Sequence, residues 1–128
     1  MDYFVKHYNN RPWGESVIII TDDGCGTATV TFPVDEPETG LISDMSVHNA
    51  TRQHGLGNCL LTECEYEIKK KGFKKAHLFA EMDSIAYNWY TRHGYIQSNE
   101  IQTFPQFGDD KIYVKLEKNL NQFVEKTD

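Results

Sequence analysis

The sequence is poor in the devices that hold a small chain together from outside its core: 128 residues contain three cysteines and four prolines. Three cysteines cannot all pair, and Cys25, Cys59 and Cys64 show neither CxxC spacing nor the neighbouring histidines of a zinc site. No disulfide framework and no metal are therefore expected, and the thiols read as reduced and mostly buried. Long apolar runs are missing too. The longest aliphatic stretch, Val17 to Ile20, falls far short of the roughly 20 residues that span a bilayer, so no membrane partner is expected. Met1-Asp2-Tyr3 lacks the basic-then-apolar order of a signal peptide, and a cytoplasmic location is the expectation. Positive charge is scarce: 13 Lys and Arg against 19 Asp and Glu give a net charge of −6. A nucleic-acid binder carries a basic face, so no nucleic-acid partner is expected.

What is present suffices for one core. An apolar fraction of 39% over this length supports a single domain, residues 1–128, with a flexible tail expected over residues 119–128. Tyr3 to Tyr8 reads as a first strand and Asn9 to Gly14 as a bare turn. Val17-Ile18-Ile19-Ile20 followed by Asp22-Asp23-Gly24 is a β-branched run closed by a turn, and Gly26 to Val34 alternates threonine with Ala28, Val30 and Phe32, the second arm of a hairpin. Leu41 to Val47 alternates again, with Leu41, Ser43, Met45 and Val47 assigned to one face and Ile42, Asp44 and Ser46 to the other.

That strand leads into Arg52-Gln53-His54-Gly55-Leu56-Gly57, where two glycines precede a long amphipathic pattern. The first amides of a helix have no intrahelical partner and the macrodipole makes that end partly positive, so an anion fits there. Glycine at 55 and 57 removes side chains that would hold a phosphate off the backbone, and Arg52 and His54 add charge. No Lys-Ser/Thr pair follows, as a Walker loop needs, and Leu60 stands where a dinucleotide fingerprint wants a small residue. A plain turn and helix cap is the alternative reading of these six residues.

From Leu56 to Lys71, the positions Leu56, Cys59, Leu60, Cys64 and Ile68 recur at helical spacing, with Glu63, Glu65 and Glu67 assigned to the polar side and Gly72 as the stop. Ala76 to Met82 is a short strand. If it lies parallel to the strand ending at Val47, the helix between them supplies the crossover. Asp83-Ser84 offers an N-cap for a second helix through about His93. Tyr95 to Gln102 and Lys111 to Glu117 read as two strands around Gly108-Asp109-Asp110.

This order, with Val47 to Gly57 as its loop and Ala86-Tyr87-Asn88-Trp89-Tyr90-Thr91-Arg92-His93-Gly94-Tyr95 as its second-helix signature, resembles the GNAT superfamily of N-acetyltransferases over about residues 15–118. The resemblance implies an α/β (α+β) fold: a mixed, mostly antiparallel twisted sheet with one parallel strand pair joined by the helix after the RxxGxG loop. The N-terminal helices that many relatives carry are reduced or absent here. It also implies acetyl-CoA as acyl donor and a primary amine, on a small molecule or a protein, as acceptor. Amides of Gln53, His54, Gly55, Leu56, Gly57 and Asn58, with Arg52 beside them, are implied to hold the pyrophosphate. Met45 and Val47 are implied to pair with the pantetheine arm, and Asp83, Ala86 and Tyr90 complete the cofactor contacts. Tyr90 matches the family's general acid for the leaving thiolate.

Three departures accompany the match. Asp83 replaces the asparagine of many relatives. Leu41 and Ser43 stand where relatives often place Glu or His, so Asp44, His48 and Glu81 are the substitutes for the base, with Asp44 in first place, directly or through water. The short N-terminal region truncates the acceptor side, leaving Trp13, Phe32 and Phe104 to Phe107, or a second subunit of a homodimer, to line it. A non-catalytic acyl-CoA-binding regulatory module is the alternative.

Overall fold

The structure, a computed structural model, describes residues 3–9, 12–48, 55–103 and 111–120. The chain divides into two compact units, residues 1–76 with 120–128, and residues 77–119. Numbered along the chain, its strands stand in the order first, second, third, fourth, fifth, seventh, sixth in one seven-stranded sheet, with the fourth and fifth the parallel pair and the first helix the crossover between them.

The first unit is built on an antiparallel meander of β1 (Tyr3–Tyr8), β2 (Gly14–Thr21), β3 (Gly26–Pro33) and β4 (Thr39–Val47). Registers such as Val17↔Val30, Ile19↔Ala28 and Val30↔Ile42 align one apolar face across three strands. All five of these side chains are buried, and α1 (Leu56–Lys70) lies against β2, β3 and β4. Burying side chains of this size contributes about 1.5–3 kcal/mol each for Val and Ile. The segment between β1 and β2 is too short for a helix pair, so the expected loss of the N-terminal helices holds.

Helix α1 differs in detail from its sequence pattern. Leu60, Leu61, Cys64 and Ile68 are buried, but so are Glu63 and Glu67, which the pattern puts on the polar side, whereas Cys59 is exposed. The buried stripe is wide enough to take in the glutamate stems, and Glu67 reaches Lys70 at 3.2 Å. Only Cys64 of the three cysteines is buried, Cys25 being intermediate, so the expectation of mostly buried thiols fails. Lys71 pairs with Glu15 and lies over the Phe32 ring, 5.1 Å from its centroid. Phe32 itself packs edge-on against Phe73 at 5.5 Å and is buried, a core position instead of an acceptor wall.

The second unit carries most of β5 (Lys75–Glu81), α2 (Ile85–Arg92), β6 (Ile96–Thr103) and β7 (Ile112–Asn119). Strands β6 and β7 pair antiparallel through Ile96↔Glu117 and Ile101↔Val114, with an irregularity between Gln97 and Ile101. Leu78, Ala80, Tyr95, Val114 and Leu116 form its core. The turn at 108–110, the aromatic segment 104–107 and the tail from 121 lie outside the described residues.

Candidate functional site

The last turns of β4 show why the strand before the loop cannot keep a simple alternation. Thr27 pairs with Ser46, but Thr29 pairs with Ser43, so β4 has one residue more than β3 across this interval. Asp44 absorbs it at φ 52, a left-handed conformation that aspartate tolerates better than most side chains. The two-face assignment over 41–47 is thereby corrected: Leu41, Ser43, Met45 and Val47 do not form one continuous row. A bulge re-aims the chain beyond it. Met45 and Val47 are half-buried and Asp44 is exposed. Val47 still pairs with Gly26, and the amide of His48 donates to the Cys25 carbonyl at 2.7 Å, holding the strand end on β3.

The start of α1 is shaped for backbone recognition. Gly55 is the N-cap at φ 75, a conformation that costs an L side chain about 1–2 kcal/mol, and among the described residues no atom lies within 4 Å of where a Cβ would sit. The Gly55 carbonyl accepts the first helical bond from the Cys59 amide at 3.1 Å. The amides of Leu56, Gly57 and Asn58 therefore precede the helical ladder, no side chain caps them among the described residues, and no acidic residue occupies the first turn. Gly57 is inside the helix and does not have positive φ, so its value at this position is the absence of a side chain, not a special backbone angle. Arg52, Gln53 and His54 lie outside the described residues.

In the second unit, one residue of the Asp83-Ser84 pair caps α2. Ser84, not Asp83, is the N-cap: its hydroxyl accepts from the Tyr87 amide at 3.0 Å. Asp83 is exposed at φ 62, turning the chain from β5 into the helix, and Ala86 is exposed in the first turn. The Ser84 amide donates to the Glu81 carbonyl at 3.1 Å, so Glu81 closes the same turn through its backbone. Helix α2 buries no residue fully. Its Tyr90 is half-buried and packs edge-on against Trp89 at 5.1 Å and Tyr95 at 5.9 Å, while the Tyr90 carbonyl accepts from the His93 and Tyr95 amides at 2.9 and 3.2 Å. These contacts fix the position of the ring within its unit. Trp89 also stacks on His93, whose Nδ1 lies 2.8 Å from the Trp89 carbonyl.

Sequence reasoning did not single out the charged cluster of this unit. Lys115 is buried, 2.7 Å from Glu100 and 3.6 Å from Glu117, and its ammonium holds the Glu100 carboxyl below the usual carboxylate range through a hydrogen bond and through charge. The neighbouring acidic pattern was the available signal, because a buried lysine needs a partner. In the first unit, burial, with Cys59 and Glu63 adding charge repulsion, pushes the Tyr3 hydroxyl up to about 12. Among the described residues, no cluster of three or more His, Cys, Asp or Glu is placed to hold a metal, and no helix is long and apolar enough to cross a membrane.

Against known proteins, residues 12–97 match the family model described as an acetyltransferase (GNAT) domain, more than half of the chain. No curated protein matches. Among solved structures, a GNAT family acetyltransferase from Elizabethkingia anophelis with acetyl-CoA bound aligns with TM-score 0.69 at 16% identity, over 92% of this chain and 98% of that one. The IAA acetyltransferase from Bacillus cereus aligns at 0.70 and 13% identity, over 93% and 100%. The ribosomal-protein-S18-alanine N-acetyltransferase from Escherichia coli aligns at 0.67 and 14%, over 94% and 77%. At these identities the structural likeness speaks for the fold, and the family match speaks for the lineage: the chain belongs to the GNAT family of acetyltransferases.

Proposed function

We propose that this protein is an acetyl-CoA-dependent N-acetyltransferase that transfers an acetyl group to a primary amine by direct attack on the thioester. The observation that carries the reading is the start of α1. Amides at Leu56, Gly57 and Asn58 that no described side chain caps, a left-handed Gly55 with no described atom where a Cβ would sit, and no carboxylate in the first turn suit a diphosphate. Arg52, Gln53 and His54 extend that cradle in this reading, and the Met45 and Val47 backbone beyond the bulge pairs with the pantetheine arm like an added strand. Asp83 and Ala86 at the start of α2 contribute to cofactor binding. Acetyl-CoA, when bound, supplies the activated acyl carbonyl.

The protein's own residues have two proton tasks. An alkylamine has a pKa of about 10.4 and must lose a proton before it attacks, which Asp44 serves directly or through water. The leaving thiolate departs more readily if protonated, the role of Tyr90, whose ring is held by Trp89 and Tyr95.

The test follows thiol release from acetyl-CoA with a panel of amines, beside calorimetry of coenzyme A binding. Turnover with at least one amine is expected, and Tyr90→Phe should lower kcat by about 100-fold, the low end for a general acid, while leaving cofactor affinity within a few-fold. An unchanged rate removes Tyr90 from the chemistry. Thermal stabilisation by coenzyme A with no product from any amine would favour the regulatory binding module, for which the shortened acceptor side speaks.

A further inference from the structure

We propose that the outer edge of β1 is a self-complementary docking strand, and that two copies of this chain join there by antiparallel β1–β1 pairing about a two-fold axis at Val5. Strand β1 is terminal in the sheet order, so among the described residues no strand occupies its outer edge. It pairs with β2 without any register shift from Tyr3↔Thr21 to Tyr8↔Ser16. It therefore presents a straight row of main-chain donors and acceptors with neither a bulge nor a proline, two of the devices that blunt such an edge. Phe4, 65% exposed, stands directly beside Ile20, 38% exposed, and Val5 is also exposed.

The occupant follows from charge and pleat. A two-fold axis perpendicular to an antiparallel pair keeps each face on its own side, so a residue on the axis opposes itself and its neighbours oppose each other. Centred on Lys6, the register sets two ammonium groups opposite one another, which is destabilising. Centred on Val5, it sets Phe4 against the Lys6 of the other copy, Tyr3 against His7, and Val5 against itself. Lys6 already lies over an aromatic ring in its own strand, 5.5 Å from the Tyr8 centroid. In the paired form it lies beside Phe4 of the other copy, with Ile20 and Ile18 flanking in the next strands. No like charges meet, and the exposed apolar pair Phe4–Ile20 gains a neighbour. Two edges of six residues bury less than the about 1,600 Å² of a standard interface, which places the contact among weak, reversible associations.

A position on the axis permits a charge-swap test. Sedimentation velocity across the micromolar range is expected to show a monomer–dimer equilibrium for the native chain. Val5→Asp and Val5→Lys should each be monomeric, because each sets like charges face to face. An equimolar mixture of the two variants should recover the dimer, which also shows that neither fails to fold. A native chain that remains monomeric at a hundred micromolar overturns the proposal, and the edge then belongs to another partner or to none. Dimers that persist in both single variants, or a mixture that stays monomeric, overturn it equally, by assigning association to another surface or another register.

Discussion

Gly40 illustrates how a single hydrogen atom in place of a methyl group sets the distance between a strand and a helix. Its backbone is ordinary, but a Cβ there would overlap Ile68 Cγ1 and lie 2.6 Å from Cδ1, so the approach of α1 to β4 depends on the missing side chain. Overpacking of this kind costs about 1–3 kcal/mol. Gly40→Ala is therefore expected to lower stability by about that amount in urea unfolding, and the loss should shrink to near zero in an Ile68→Ala background, where the methyl enters vacated space. An equal cost in both backgrounds would show that the helix contact is not the cause. Gly55 is the opposite case, with a left-handed backbone, and its substitution meets strain without a clash among the described residues. The same residue type thus serves packing at one end of α1 and, in the proposed function, ligand approach at the other.

At the scale of elements, α2 depends unusually on its ends. It has eight residues, none fully buried, and its links within the unit include the Ser84 cap, the Tyr87 hydroxyl donating to Gln97 at 2.8 Å, and the ring contacts of Trp89 and Tyr90. Ser84→Ala should destabilise by about 1 kcal/mol, read from the urea midpoint, whereas Asp83→Asn should cost little, since asparagine also tolerates positive φ. If Asp83→Asn were the costlier change, the cap would have to be reassigned. The contrast also marks the limit of reading this chain from its residues. Strand runs and the two helices were legible because period-2 and period-3.6 patterns are strong signals, whereas the parallel pair came from the family resemblance. The identity of the cap was not legible, because Asp83 and Ser84 are both good capping types and only the backbone angles separate them. The position of the bulge, at Asp44, was not legible for a similar reason: an added residue in β4 is defined by its partner on β3, and alternation along one strand carries no record of it. The burial of Glu63 and Glu67 depends on how far α1 sinks onto the sheet, a tertiary quantity outside the helix's own sequence. For the candidate site, Gly55 and Gly57 could be picked out from sequence, but their different roles could not.

For the molecule as a whole, stability is expected to fall at both ends of the pH range for separable reasons. Tyr3 has its hydroxyl pushed up to about 12 by burial and by the charges of Cys59 and Glu63, so the folded protein holds a proton that the unfolded chain releases near the ordinary tyrosine value of about 10. Its contribution is intact below about pH 10 and is lost as pH rises from there towards 12. Glu100 shifts the other way: Lys115 stabilises its carboxylate, so that contribution is present above the unfolded value of about 4.3 and disappears as pH falls through the lower folded value. Asp23 adds to the acid limb, lowered by bonds from the Cys25 amide and the Thr21 hydroxyl, at 2.9 and 2.7 Å. Urea midpoints measured from pH 3 to 12 should describe a plateau with two descending limbs. Tyr3→Phe is expected to flatten the alkaline limb and leave the acid limb in place. Glu100→Gln should flatten the acid limb and also lower the plateau, because it removes the 2.7 Å ion pair of the buried Lys115 ammonium. Should both variants change the same limb, the two titrations would be coupled, and the independent assignment of Tyr3 and Glu100 would fail.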